Sequence, residues 1–161
     1  TFSGVSRVLR DQSPKTKLVI TEPENAQLVN SLITQKRNQD GSPAGAHDSW
    51  NPHPIQGWTP DFIPLVLQES IDKNYFDINI PVTGEDGIYW SHQLATNEGI
   101  ITGISGGSTF AVAMKIAEEA PDDSNILCML ADTAERYLTS VLFEKIDSEM
   151  NDEENEILNS I

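Results

Sequence analysis

The stretch Ile101-Thr-Gly-Ile-Ser-Gly-Gly-Ser-Thr-Phe110 holds the densest set of residues suited to ligand chemistry. A short apolar run feeds a turn of small residues, and a helical pattern begins directly after it. In such a turn, small side chains let backbone N–H groups converge on an anion, and the helix dipole adds partial positive charge. Ser105 would bring a hydroxyl to that crevice. The same residues also fit an ordinary strand-to-helix connection with Ser108 as the N-cap, and Gly106-Gly107 do not separate the two readings. Asp132-Thr133 follow a second apolar run, where they either cap the next helix or line a ligand crevice, capping being the simpler reading. Glu135 and Arg136 are adjacent and so do not face each other on a helix. His47, His53 and His92 lack paired metal-ligand spacing, and one cysteine with scattered histidines makes no zinc site. Cys128, inside an apolar run, reads as a small buried hydrophobe rather than a nucleophile.

These residues need elements to position them. Val5, Val8 and Leu9 are helically spaced within Ser3 to Arg10, and Pro14 closes that segment. Lys17 to Thr21 is a β-branched run ending at Glu22-Pro23, a buried strand by pattern. Asn25 to Ile33 reads as a short amphipathic helix. Residues 34–54 lose all periodicity and collect glycine and proline, a long loop of the kind that is functional or mobile. Thr59-Pro60-Asp61 carries a helix-start signature. Asp77 to Val82 predicts a strand, and Gly84 to Asn97 a helix stopped by Gly99. A strand over Ile100 to Ile104, a helix over Thr109 to Ala120, a strand over Asn125 to Ala131 and a helix over Ala134 to Phe143 complete the pattern. Strands alternating with helices, without tight hairpin signals, imply an α/β fold with a partly parallel sheet covered by helices on both faces.

The 161 residues carry 25 Asp plus Glu against 10 Lys plus Arg, a formal charge of −15. That balance argues against a nucleic-acid partner, because polyphosphate would be repelled over most of the surface. There is no apolar run of about 18 residues, so no membrane span is expected. The lone Cys128 cannot form an internal disulfide, which fits a reducing compartment. Seven of the acids fall between Glu144 and Ile161, so residues 144–161 read as a solvated acidic helix or tail.

Three motifs in register go further. His53-Pro-Ile-Gln-Gly-Trp-Thr-Pro-Asp-Phe-Ile-Pro64, Gly103-Ile-Ser-Gly-Gly107 and Asp132-Thr-Ala-Glu-Arg-Tyr-Leu138 resemble the cysteine synthase (O-acetylserine sulfhydrylase) family and its cystathionine β-synthase relatives. Thr1-Phe-Ser-Gly-Val5 is similar to the end of that family's phosphate loop and the helix after it, and Glu22-Pro23 matches the end of the following strand. The resemblance implies the C-terminal part of a fold-type II pyridoxal 5′-phosphate enzyme over residues 1–143. It places Thr1 on the cofactor phosphate, Ser105 on the pyridine nitrogen, Asp132 and Thr133 beside the pyridine end, and Gln56 and Gly57 on a loop bordering the substrate.

The resemblance also implies what this chain does not carry. The family's Schiff-base lysine lies upstream of the phosphate loop, and Lys15, Lys17, Lys36, Lys73, Lys115 and Lys145 all fall in segments not used for that role. No catalytic residue is therefore assigned within the 161 residues, and the chain alone is expected to be inactive. Its expected partners are the N-terminal half of the same enzyme, a homodimer mate, or further subunits of a larger assembly. Ala131 stands for a usual proline, Ala134 for a usual glycine, and Trp58-Thr59-Pro60-Asp61 for a smaller, glycine-containing segment. Two functions follow: a share in β-replacement, making L-cysteine from O-acetyl-L-serine and sulfide, or a non-catalytic subunit that keeps the fold.

Overall fold

A computed structural model describes residues 1–147 and 149–160. It contains helix α1 (Phe2–Gln12), strand β1 (Val19–Pro23), helix α2 (Leu65–Asp72), strand β2 (Ile78–Val82), helices α3 (Gly84–Glu98) and α4 (Ile104–Glu119), a 3-10 turn at Ala134–Tyr137 and helix α5 (Asp152–Asn159). β1 and β2 pair in parallel, in register from Val19 opposite Ile78 to Pro23 opposite Val82. The α/β class with a parallel sheet is as the pattern implies.

Side chains alternate across the two strands. Val19, Ile80 and Val82 face the main core with Ile55, Ile104, Ala111, Val112, Ala134 and Leu142. Burying each larger aliphatic of this set contributes about 1.5–3 kcal/mol. Glu22 and Asn79 share a hydrogen bond (2.7 Å), and the Glu22 carboxylate also accepts from the Val29 and Asn30 amides at 2.7 and 3.1 Å. A second, smaller core joins Ala26, Leu28 and Ile63 with Trp50, Leu67 and Ile71.

Where local chemistry sets the boundary, sequence and structure agree. The Thr83 hydroxyl caps α3 by accepting from the Asp86 amide, and Gly99 ends it in the left-handed conformation at φ 67°. Elsewhere tertiary context overrides the pattern. Residues 25–33 form turns folded onto the Glu22 carboxylate, not a helix. The Thr59-Pro60-Asp61 signature does not start a helix. α2 begins at Leu65, because the carbonyl of Thr59 is engaged by Trp50 and His53 and its backbone is turned to φ 38°.

The strands expected over Ile100 to Ile104 and Asn125 to Ala131 do not form. The first is reduced to a single antiparallel bridge between Thr102 and Thr133. The second has no regular structure, and Leu127 within it is 95% exposed. A strand needs a continuous row of a neighbour's backbone groups, and among the described residues the first segment finds one such partner residue and the second none. Ser108 is not an N-cap, since α4 starts at Ile104 with Gly103 in the capping position. The expected helix over Ala134 to Phe143 is the 3-10 turn followed by further turns. Residues 34–54 are a loop, as read, yet an ordered one. Arg37 bridges to Pro43, and its guanidinium donates to the carbonyls of Gly41 and Ile63 at 3.2 and 2.6 Å. In the acidic segment, α5 opens on a reciprocal cap between Asn151 and Glu154, while Ser148 and Ile161 lie outside the described residues. No described helix is long and apolar enough to cross a membrane.

Candidate functional site

The glycine-rich turn is packed before it is anything else. A Cβ on Gly103 would lie 2.3 Å from the Tyr137 ring and 2.7 Å from Asp132 Oδ1. One on Gly106 would meet Thr102 Oγ1 at 2.0 Å, and one on Gly107 the Gly87 carbonyl at 2.1 Å. These glycines let α4 begin against three neighbours at once. Residues Ile104 to Ser108 are all buried, with Ser105 6% exposed. The first amides of a helix have no intrahelical acceptor, and no side chain caps this end. Ser105 therefore sits in the first turn of a buried helix start that is electropositive and free of a capping side chain.

Asp132 abuts this start. Its backbone carbonyl accepts from Thr102 Oγ1 at 3.1 Å, and its carboxylate accepts a short hydrogen bond from the Tyr137 hydroxyl. That bond, reinforced by burial and by the carboxylate's charge, holds the Tyr137 phenol above its ordinary pKa. Asp132 Oδ1 is buried and has no hydrogen-bond partner among the described residues. Thr133 is exposed and occupies the N-cap of the 3-10 turn without a side-chain cap bond, so neither residue does the capping expected of it. Ala134 is 2% exposed within the main core and is not among the residues with positive φ, so replacing glycine there costs no strain.

Gln56 and Gly57 form the middle of a β-turn closed by the Trp58 amide on the Ile55 carbonyl (3.3 Å). Gly57 has φ 84°, the left-handed value that a type II turn needs at this place. Ile55 is 1% exposed and anchors the turn in the core that holds Ile104 and Ala134, with Trp58 and Tyr137 packed on it. Gln56 and Gly57 themselves are exposed. Pro54 lies so close to Gly84 that a Cβ there would meet its ring at 2.2 Å, which fixes the turn over the start of α3.

Thr1 stands apart. It is the exposed N-cap of α1, again with no side-chain cap bond, and α1 packs on α2 through Ser3, whose hydroxyl donates to the Val66 carbonyl at 2.5 Å. The other end of α1 is tied to the beginnings of both strands. Arg10 reaches the Tyr75 carbonyl and Asp77, and Asp77 accepts from the Leu18 amide. α1 thus runs against the strands, and its N-terminus points to their carboxyl edge, where ligands sit in parallel sheets. The structure places Asp132 against Gly103 at the start of α4, and shares one core among Ile55, Ile104 and Ala134, the sequence neighbours of Gln56, Ser105 and Thr133, while Thr1 lies on a separate helix.

The family model for pyridoxal-phosphate-dependent enzymes matches residues 1–132. The chain belongs to that family. It is 38% identical to O-ureido-L-serine synthase of Streptomyces lavendulae over 94% of its own length and 41% of that protein. Cysteine synthase A of Escherichia coli K12 is 32% identical over 92% of this chain and 43% of its own. Among solved structures, that of O-ureido-L-serine synthase superposes with a TM-score of 0.77 at 36% identity, covering 95% of this chain and 42% of the other. An O-acetylserine-dependent cystathionine β-synthase from Helicobacter pylori gives 0.69 at 29% identity, covering 89% and 40%. The chain spans about two-fifths of the length of these relatives. Members of the family depend on pyridoxal phosphate. The residues present fit that group, which has an anionic end and a ring nitrogen. Two helix starts, at Thr1 and Gly103, carry no capping side chain, the second holds a buried serine, and beside it lies an Asp132 carboxylate oxygen without a partner among the described residues.

Reading the sequence missed Tyr137 as the partner of Asp132, and His53 and Trp50 as partners of Thr59. Each pair joins a local segment through a carbonyl or carboxylate, and no spacing rule announces such a bond.

Proposed function

We propose that this chain supplies the cofactor-facing and substrate-facing edge of an enzyme that replaces the β-substituent of an activated L-serine. The observation that supports the proposal is the packing of Asp132 and Tyr137 against Gly103 at the buried start of α4, in the core that also anchors the Gln56–Gly57 turn through Ile55. When bound, pyridoxal phosphate draws electron density from the amino acid's α-carbon, so that one β-substituent can leave and another can enter. The Thr1 hydroxyl and the first amides of α1 hold the phosphate. Ser105 offers a hydroxyl to the ring nitrogen, a partner that need not keep it protonated. Asp132 and Thr133 border the same end of the ring. Gln56 and Gly57 border the substrate and exclude water from it. The reading that fits best is L-cysteine formation from O-acetyl-L-serine and sulfide. The relative named for O-ureido-L-serine carries another substituent on the serine framework, so the nucleophile is the part a substrate panel must decide.

The anchoring amine would come from the portion of the relatives' length that lies outside the match, which makes that portion the first expected partner. Lys36, Lys73 and Lys115 are exposed and paired with Asp48, Glu69 and Asp86. The same observation favours a second reading, a non-catalytic subunit that retains the fold. Adding pyridoxal phosphate to the protein at its native length separates the two. The first reading expects a visible absorption band, and a Ser105→Ala variant with a shifted band and activity reduced at least tenfold. Failure of the wild-type protein to acquire any visible band would overturn it and leave the second.

A further inference from the structure

Thr59 is a β-branched residue at φ 38°, a conformation that costs of order 1–3 kcal/mol and persists only where its surroundings enforce it. Two side chains supply the enforcement. Trp50 Nε1 and His53 Nε2 both donate to the Thr59 carbonyl, each at 3.1 Å. A carbonyl cannot donate, so His53 must carry its proton on Nε2. His53 Nδ1 is buried and has no partner among the described residues, so the bond to Thr59 is what the ring's polarity serves. The two donors come from the segment before the Gln56–Gly57 turn and the acceptor from the segment after it. The pair of bonds therefore closes a loop around that turn, whose own closing bond is long at 3.3 Å.

We infer that His53 and Trp50 are positioning residues that clamp the Thr59 carbonyl and so hold the Gln56–Gly57 turn in its bound-ready shape. The inference rests on the proposed assignment of that turn to the substrate. A glycine at position 59 would reach φ 38° without strain, whereas this chain's threonine requires the clamp. The clamp also limits which way the turn can open. Ile55 stays in the core while the carbonyl bonds must break before residues 56–59 can swing.

The test is hydrogen exchange at the amides of residues 55–58, with steady-state kinetics on O-acetyl-L-serine, both in the protein at its native length. His53→Ala should speed exchange of the Trp58 amide about tenfold, the worth of one such hydrogen bond. It should also raise KM about tenfold while kcat stays within about twofold, because the turn borders the substrate but does not perform the chemistry. His53→Gln, whose amide nitrogen can take the place of Nε2, should stay within about threefold of wild type in both readings. Thr59→Gly should return the His53→Ala protein toward wild-type exchange by removing the strain the clamp opposes. If His53→Ala does not fold, Trp50→Phe removes the second donor and carries the same expectations. Unchanged exchange in the alanine variant, or no recovery with Thr59→Gly, overturns the clamp. Faster exchange with an unchanged KM leaves the clamp standing and removes the turn from the substrate site.

Discussion

Glu22 shows how one side chain can organise a segment. Its carboxylate is 5% exposed and accepts from Val29, Asn30 and Asn79, so the charge is buried with donors rather than with a cation. Glu22→Ala leaves those donors buried and unpaired, and should lower stability by about 2–4 kcal/mol. The measurement is a urea midpoint at unchanged m-value. Gly57 is a different case, because nothing lies within 4 Å of a Cβ built there and only the backbone at φ 84° resists substitution. Gly57→Ala should lower global stability by about 1–2 kcal/mol, the cost of a left-handed backbone for a residue with a Cβ. It should raise KM for the amino-acid substrate while the absorbance of the bound cofactor stays unchanged. Cys128 is half-buried in an irregular segment rather than buried in a strand, and that partial burial pushes its thiol up to about 11, which argues against a nucleophile.

At the scale of elements, the crossing of α3 and α4 sets the geometry of the site. Gly87, Ser91 and Gly107 are small enough for the helix backbones to touch, and the Ser91 hydroxyl donates to the carbonyls of Gly87 and Gly103. The second of these bonds ties the middle of α3 to the residue that starts α4. Trp90 and Phe110 close the crossing edge to face at 5.4 Å. Gly107→Ala would set a methyl 2.1 Å from the Gly87 carbonyl and 2.2 Å from Ser91 Oγ, so the helices must part. The expected cost is about 1–3 kcal/mol or more, seen as a lowered Tm together with weaker cofactor absorbance, since Ser105 moves with α4. An alanine at exposed Gly4, within α1 and with nothing within 4 Å, should hold or raise Tm by about 1–4 °C through helix propensity and is the control.

Over the whole molecule, the parallel pairing of β1 and β2 gives the sheet two unlike ends. One end gathers the site. The other is fastened by Asp77, which accepts from the Leu18 amide at 2.7 Å and pairs with Arg10 at 2.9 Å. The amide bond first, and the Arg10 guanidinium second, hold the Asp77 carboxyl below its ordinary 3.8. A group depressed in the folded state stabilises fully above its unfolded pKa and loses that contribution as pH falls through the folded one. The urea midpoint should therefore decline below about pH 4 and decline less steeply in Asp77→Asn. The difference should be below about 1 kcal/mol, since the side chain is 41% exposed and screened by solvent. The opposite result, a steeper decline in the asparagine variant, would remove Asp77 from the strand-end tie.

Much of this arrangement was legible in the residues. The caps of α3, the strand over Asp77 to Val82, the parallel class and the family motifs are properties of neighbouring residues or of motifs in order along the chain. They depend on steric preference and nearby hydrogen bonds, which a linear reading contains. The strands proposed over Ile100 to Ile104 and Asn125 to Ala131 failed because a strand is completed by backbone groups far away in sequence. The glycines of the Ser105 turn fit either an anion cradle or an ordinary strand-to-helix connection, and the structure shows them as the room that Thr102, Tyr137 and α3 need. By itself the sequence determined the family and the class of fold. Only the tertiary structure decided that Asp132 faces Tyr137, that Thr59 is held by Trp50 and His53, and that α4 starts against Gly87 and Ser91 of α3. Those decisions rest on bonds between segments, whose partners are chosen by packing rather than by spacing.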